Sequence, residues 1–199
     1  MNKKLLFATA SACLVAALPV QANLLTNPGF ESPGTLPTTD PGVGGGWYQF
    51  AYGGTVKIVK NNPHSGSYAA EMDVTSSGAN ILELNQDIKL PVEQDETVTF
   101  WAKTLGNSGT GLFVDLDDVN VTGPLFLTTT YKEYTYTVLP TDFGQETLSF
   151  SFDGLQGATA FIDDVSVTPA PDGGLTVALL GGALLGLGAL RRKLFRNIA

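Results

Sequence analysis

No arginine stands anywhere before Arg191, and the single cysteine, Cys13, lies in an apolar stretch close to the N-terminus. Between Asn23 and Asp172 five lysines face nineteen acidic residues, an excess of fourteen negative charges. That balance argues against nucleic acid as a partner, because phosphate contacts call for basic side chains. It fits solubility outside the cell or the binding of cations. There is one histidine, His64, with no second histidine to share a transition metal. The middle of the chain also lacks any apolar stripe of helical period, which excludes a helical bundle.

The two ends differ from the middle. Asn2, Lys3 and Lys4 precede a mostly apolar run from Leu5 to Leu18, and Val20-Gln21-Ala22 offers small or aliphatic residues before Asn23. This is the order of a signal peptide over residues 1–22. Cys13 is not placed for lipidation, because Ala10 stands three positions before it and the apolar run continues beyond it. Removal of residues 1–22 leaves a chain with no cysteine and hence no disulfide. At the other end, residues 174–190 carry no charge and include seven leucines and five glycines. As a helix they would span roughly 25 Å, enough to cross a membrane when flanking basic residues snorkel. Arg191, Arg192 and Lys193, with Arg196, would remain on the cytoplasmic side.

Residues 23–168 show many short stretches that alternate with period two. Val98, Phe100 and Ala102 oppose Thr97, Thr99 and Trp101; Leu148, Phe150 and Phe152 do the same in a second stretch. Val56 and Ile58, Leu82 and Leu84, and Val114 and Leu116 repeat the pattern, with Gly, Asn, Asp and Pro clusters between them. Such spacing predicts an all-β, two-sheet sandwich. About 145 residues bury roughly two thirds of their unfolded surface, so one core suffices.

Several residues invite a chemical role. By alternation Asp163 groups with Phe161, Val165 and Val167, which predicts an inward carboxylate that needs a partner where no arginine exists. A cation or a set of backbone amides would serve, and Asp164, of opposite parity, is expected in solvent. Trp101 faces away from Phe100, beside Thr99 and Lys103, as a sugar-stacking platform would. Tyr48 and Tyr52 sit among glycines next to Trp47, which is expected in the core. Asp115-Leu116-Asp117 lacks the glycine and the glutamate of a calcium loop, so its acids read as a solvated strand face. His64 lies in Asn-Pro-His-Ser-Gly, a turn by composition, and nothing resembles a nucleophile elbow.

The stretches NLLTNPGFESPG, HSGSYAAEM, TVTFWAK, YKEYTYTV and FIDDVSV, in that order, resemble jelly-roll carbohydrate-binding modules with a galactose-binding-like fold. The resemblance implies a structural calcium between the N-terminal Phe-Glu and the last strand. Glu31 and Asp163 would supply carboxylate oxygens, and Gly29 a carbonyl. It also implies a non-catalytic role in binding a polysaccharide or another glycan.

Pro171-Asp172-Gly173-Gly174, the apolar segment and the basic cluster together resemble a PEP-CTERM-type sorting tail over residues 169–199, close to a Val-Pro-Asp-x-Gly variant with Ala170 in place of Val. That resemblance implies an exosortase as partner, an inner-membrane intermediate, and delivery to the cell surface or extracellular matrix. The leading expectation is therefore an exported glycan-binding protein. A structural matrix or adhesion protein is the alternative, and a glycoside-active enzyme ranks below both.

Overall fold

The computed structural model describes residues 22–90, 95–106, 111–116, 119–139 and 144–170, together with positions 181, 182 and 184. Ten strands form: β1 (Tyr48–Tyr52), β2 (Gly54–Val59), β3 (Ala69–Val74), β4 (Ile81–Lys89), β5 (Glu96–Leu105), β6 (Leu112–Leu116), β7 (Val119–Leu125), β8 (Lys132–Val138), β9 (Gln145–Phe152) and β10 (Thr159–Pro169). They make two five-stranded antiparallel sheets. Sheet A runs β1-β4-β9-β6-β7 and sheet B runs β2-β3-β10-β5-β8. This is the all-β, two-sheet sandwich that the alternation predicts, in the jelly-roll form that the resemblance implies.

The alternation explains the layers. On β4 Leu82, Leu84 and Ile88 are buried, and on β9 Leu148, Phe150 and Phe152 are; these face Val98, Phe100 and Ala102 of β5 across the interior. Phe100 and Phe150 meet edge to face, centroids 5.1 Å apart, and so join sheet B to sheet A. Trp47 lies in the core as expected, 5.2 Å from the Phe30 ring and 6.2 Å from Phe150, with its indole N–H donating to the Asn27 carbonyl at 3.0 Å. Rings of this size dominate the burial energy of a small sandwich.

The chain changes sheets between β1 and β2 at Gly53, whose φ of 76° favours glycine. A side chain on the adjacent Gly54 would collide with the Asp73 backbone carbonyl and with Leu82. The N-terminal segment closes the last strand: Leu24 donates to the Val167 carbonyl, and the Asn23 side chain bonds both Val167 N–H and Val165 carbonyl.

The last strand departs from simple alternation. Its core residues are Ala160, Ile162, Val165 and Val167, while Phe161 lies outside the core cluster. Pairing with β5 shifts between Asp163 and Ser166, and Asp164 has φ 47°. This bulge moves the inward set by one residue. Asp163 is indeed fully buried, but with Phe161 on the outer side of sheet B. Parity alone therefore gave it the wrong face. Residues 1–21 and 171–180, with nearly all of 181–199, lie outside the described residues, so the expected signal peptide, sorting motif, membrane helix and basic cluster fall almost wholly there. Among the described residues no helix is long and apolar enough to cross a membrane.

Candidate functional site

The outer face of sheet A is built by residues that alternate with the core. Register fixes them in rows across the strands. Tyr52 pairs with Ile81. Phe50 pairs with Glu83, Glu83 with Ser151, and Ser151 with Phe113. Tyr48 pairs with Asn85, Asn85 with Ser149, Ser149 with Asp115, and Asp115 with Asn120. Phe50, Tyr52 and Ile81 are 52%, 61% and 51% exposed, although they lie beside one another. One row thus has an aromatic ring at each end and a carboxylate and a hydroxyl between. Four adjacent strands separate its ends by about 14 Å.

Below that row the face is held by a hydrogen-bonded knot. Asp87 accepts from Tyr48 Oη at 3.2 Å, Thr147 Oγ1 at 2.9 Å and Gln145 Nε2 at 2.6 Å. Burial, and then the Asp87 charge, pushes the Tyr48 phenol up to about 12. Tyr48 is therefore anchored, whereas Tyr52 and Phe50 are free to meet a ligand. Flat apolar rings beside polar side chains suit a sugar, which has apolar C–H faces and polar edges.

Trp101 lies elsewhere. It faces out from sheet B, opposite Asp163 on one side and Glu133 on the other. Trp101 and the pair Tyr48 and Tyr52 therefore lie on opposite sides of the sandwich and do not share one site. Nor is the indole an open platform. The His64 imidazole covers it, with centroids 3.9 Å apart and planes 11° from parallel, and Tyr131 meets His64 edge-on at 5.2 Å. His64 occupies a turn, as its composition predicts. Its ring contact was not visible in the sequence, since nothing local marks a partner 37 positions away.

This turn is clasped to sheet B by carboxylates. Asp163 Oδ2 accepts the amide N–H of His64 at 2.7 Å and of Ser65 at 3.1 Å, and Oδ1 accepts that of Asp164 at 2.8 Å. Burial holds the Asp163 carboxyl above its ordinary range, although these amides pull the other way. Asp164, partly exposed to solvent, binds His64 Nδ1 and Ser65 Oγ through its oxygens, each at 2.7 Å. Glu31 Oε1 accepts from the amides of Ser67 and Tyr68 at 2.9 and 3.1 Å. Gly66 permits the turn, with φ 59° and no room for a Cβ against Glu31. Lys103 extends over the rings of Tyr131 and Phe161, and burial lowers its pKa.

Glu31 and Asp163 thus both reach the turn at residues 64–68, with Gly29 nearby. Glu31 Oε1 and Asp163 Oδ2, two of the oxygens that would face a calcium ion, each accept two backbone N–H groups in this arrangement. Among the described residues no group of three or more His, Cys, Asp or Glu is placed to hold a metal.

No family model and no curated protein matches this chain. Solved structures do. A family 61 carbohydrate-binding module in complex with β-1,4-galactotriose is 25% identical, covers 75% of this chain and 99% of its own, and has a TM-score of 0.54. The CBM22-1 xylan-binding domain of a Paenibacillus barcinonensis protein is 12% identical over 76% of this chain and 97% of its own, with a TM-score of 0.55. An arabinose-bound α-L-arabinofuranosidase is 17% identical over 75% of this chain but only 26% of its own, with a TM-score of 0.56. The shared feature is the sandwich; the third case is a small part of an enzyme.

Proposed function

We propose that this protein is a non-catalytic glycan-binding protein whose ligand lies on the outer face of sheet A. The observation that carries this reading is the row Phe50, Glu83, Ser151 and Phe113, aromatic at its ends and polar at its centre. The likeness to modules solved with galactotriose or described as xylan-binding supports it. Phe50 and Tyr52 would stack on sugar rings, while Glu83, Ser151 and Asn85 would bond hydroxyls. A glycan array probed with the purified protein tests this. Retention of at least one oligosaccharide is expected, and loss of that signal in Phe50→Ala. A purely structural matrix protein would retain none.

Delivery is a second part of the proposal and rests on sequence. The motif at Pro171–Gly174, the apolar segment 174–190 and the basic residues Arg191, Arg192 and Lys193 support recognition by an exosortase. The path would begin with export and pass through an inner-membrane intermediate to the cell surface or extracellular matrix. The Ala170 amide donates to the Asp95 carbonyl at 2.8 Å, so the domain is tied down up to the start of the motif. Mass spectrometry of the surface form is expected to find no peptide beyond the region of Pro171. Recovery of Arg191–Arg196 from that form would instead indicate a permanent anchor.

A further inference from the structure

We infer that the sheet A face selects against anionic polysaccharides, and that Glu83 is the residue that sets this selection. The inference rests on the glycan-binding reading above and adds the charge class of the ligand.

The argument begins with what surrounds Glu83. It is half-buried in the middle of the row, with Phe50 on one side and Ser151 on the other. Among the described residues its carboxylate has no hydrogen-bond or ion-pair partner, unlike Glu71, which Lys57 meets at 2.8 Å. Asp87 and Asp115 share the same face, two rows and one row away. Among the described residues the one cation on the face is Lys89, exposed at the far end of β4 opposite Gln145. No arginine precedes Arg191, so the domain has no guanidinium to pair with a uronate, sulfate or pyruvate group.

A ligand seated between Phe50 and Phe113 must lie over Glu83. A sugar hydroxyl there donates to the carboxylate in a charge-assisted bond. A protonated amino group gains more, by direct attraction. A sugar carboxylate meets like charge at short range with little solvent between. At about 6 Å and an effective dielectric constant near 40, each such pair weakens binding about tenfold. The ligand class is thus a neutral or amino-sugar polysaccharide, and the two are told apart by salt. Neutral ligands bind independently of ionic strength, and amino sugars bind more weakly as salt rises.

The test is affinity electrophoresis and calorimetry of the purified protein with four probes: β-1,4-galactan, xylan, chitosan oligomers and polygalacturonate. At low salt we expect retention by a neutral or amino glycan and at least tenfold weaker binding of polygalacturonate. Glu83→Gln should narrow that gap by about tenfold at an unchanged melting temperature, and added salt should narrow it in the wild type. Polygalacturonate bound as tightly as the best neutral glycan would overturn the inference and leave the glycan-binding reading intact. A gap that Glu83→Gln leaves unaltered would also overturn it. Retention by none of the four would overturn the glycan-binding reading, and this inference with it.

Discussion

The His64 imidazole lies flat on the Trp101 indole, 3.9 Å between centroids and 11° from parallel, while its Nδ1 sits 2.7 Å from Asp164. The residue before β3 that looks least structured in the sequence is therefore pinned by a stack and a carboxylate. The turn it belongs to covers the buried Asp163, whose oxygens accept that turn's own amides. The part of sheet B round Trp101 is thus closed by a structural clasp, whereas Phe50 and Tyr52 stand open on sheet A.

His64→Ala removes the stack and leaves Asp164 without its nitrogen partner. The expected cost is about 1–2 kcal/mol, seen as a fall of several degrees in the melting temperature. Trp101→Ala should lower stability in the same way. Neither should change affinity for a glycan, because both residues lie on sheet B. Thermal melts and binding isotherms on the same two variants check this.

Asp163→Ala leaves three backbone N–H groups without an acceptor beneath the turn. Unsatisfied buried donors cost about 1–3 kcal/mol each, so this variant should be the most destabilised of the set in urea titration. Because the same oxygens are spent on amides, wild-type melts with excess calcium and with a chelator should superimpose. A rise of several degrees with calcium would show that the ion displaces those amides, with stabilisation of about 2.7 kcal/mol at a hundredfold excess over Kd.

Tyr48 gives a pH signature. Its phenol is raised from 10.0 to about 12, by burial first and by the Asp87 charge next. The unfolded chain loses this proton earlier than the folded one. The stabilisation is therefore complete below pH 10 and is lost as pH rises towards 12. Tyr48→Phe lacks this loss and also lacks the bond to Asp87, worth about 1 kcal/mol. Wild type should be the more stable near neutral pH, and its advantage should shrink or reverse across that alkaline window in denaturant titrations.

Much of the sandwich was legible because alternation is strict where one face is buried. Val98, Phe100 and Ala102 declare their face, and so do Leu148, Phe150 and Phe152. The same logic placed Trp101 outward. It failed at Asp163 because a one-residue bulge inverts parity without changing composition. The cover over Trp101 was illegible because it comes from a turn far off in sequence. The aromatic face was half legible: Tyr48 and Tyr52, which flank the row, stood out among glycines, but Glu83 and Phe113 read as ordinary strand residues. Only the register of β1, β4, β9 and β6 brings them into line.

The most direct test of the account is the affinity of Phe50→Ala and Tyr52→Ala for a glycan that the wild-type protein retains, measured beside their melting temperatures. Both rings are more than half exposed, so truncation costs little stability. Loss of a stacking contact should weaken binding by about 1–3 kcal/mol, by analogy with bases stacked on aromatic side chains, or roughly five- to hundredfold. Weakened binding in these two variants at an unaltered melting temperature is the predicted result. Unchanged affinity in both, with weakened binding in Trp101→Ala at an unaltered melting temperature, would place the ligand on the other sheet and contradict the account.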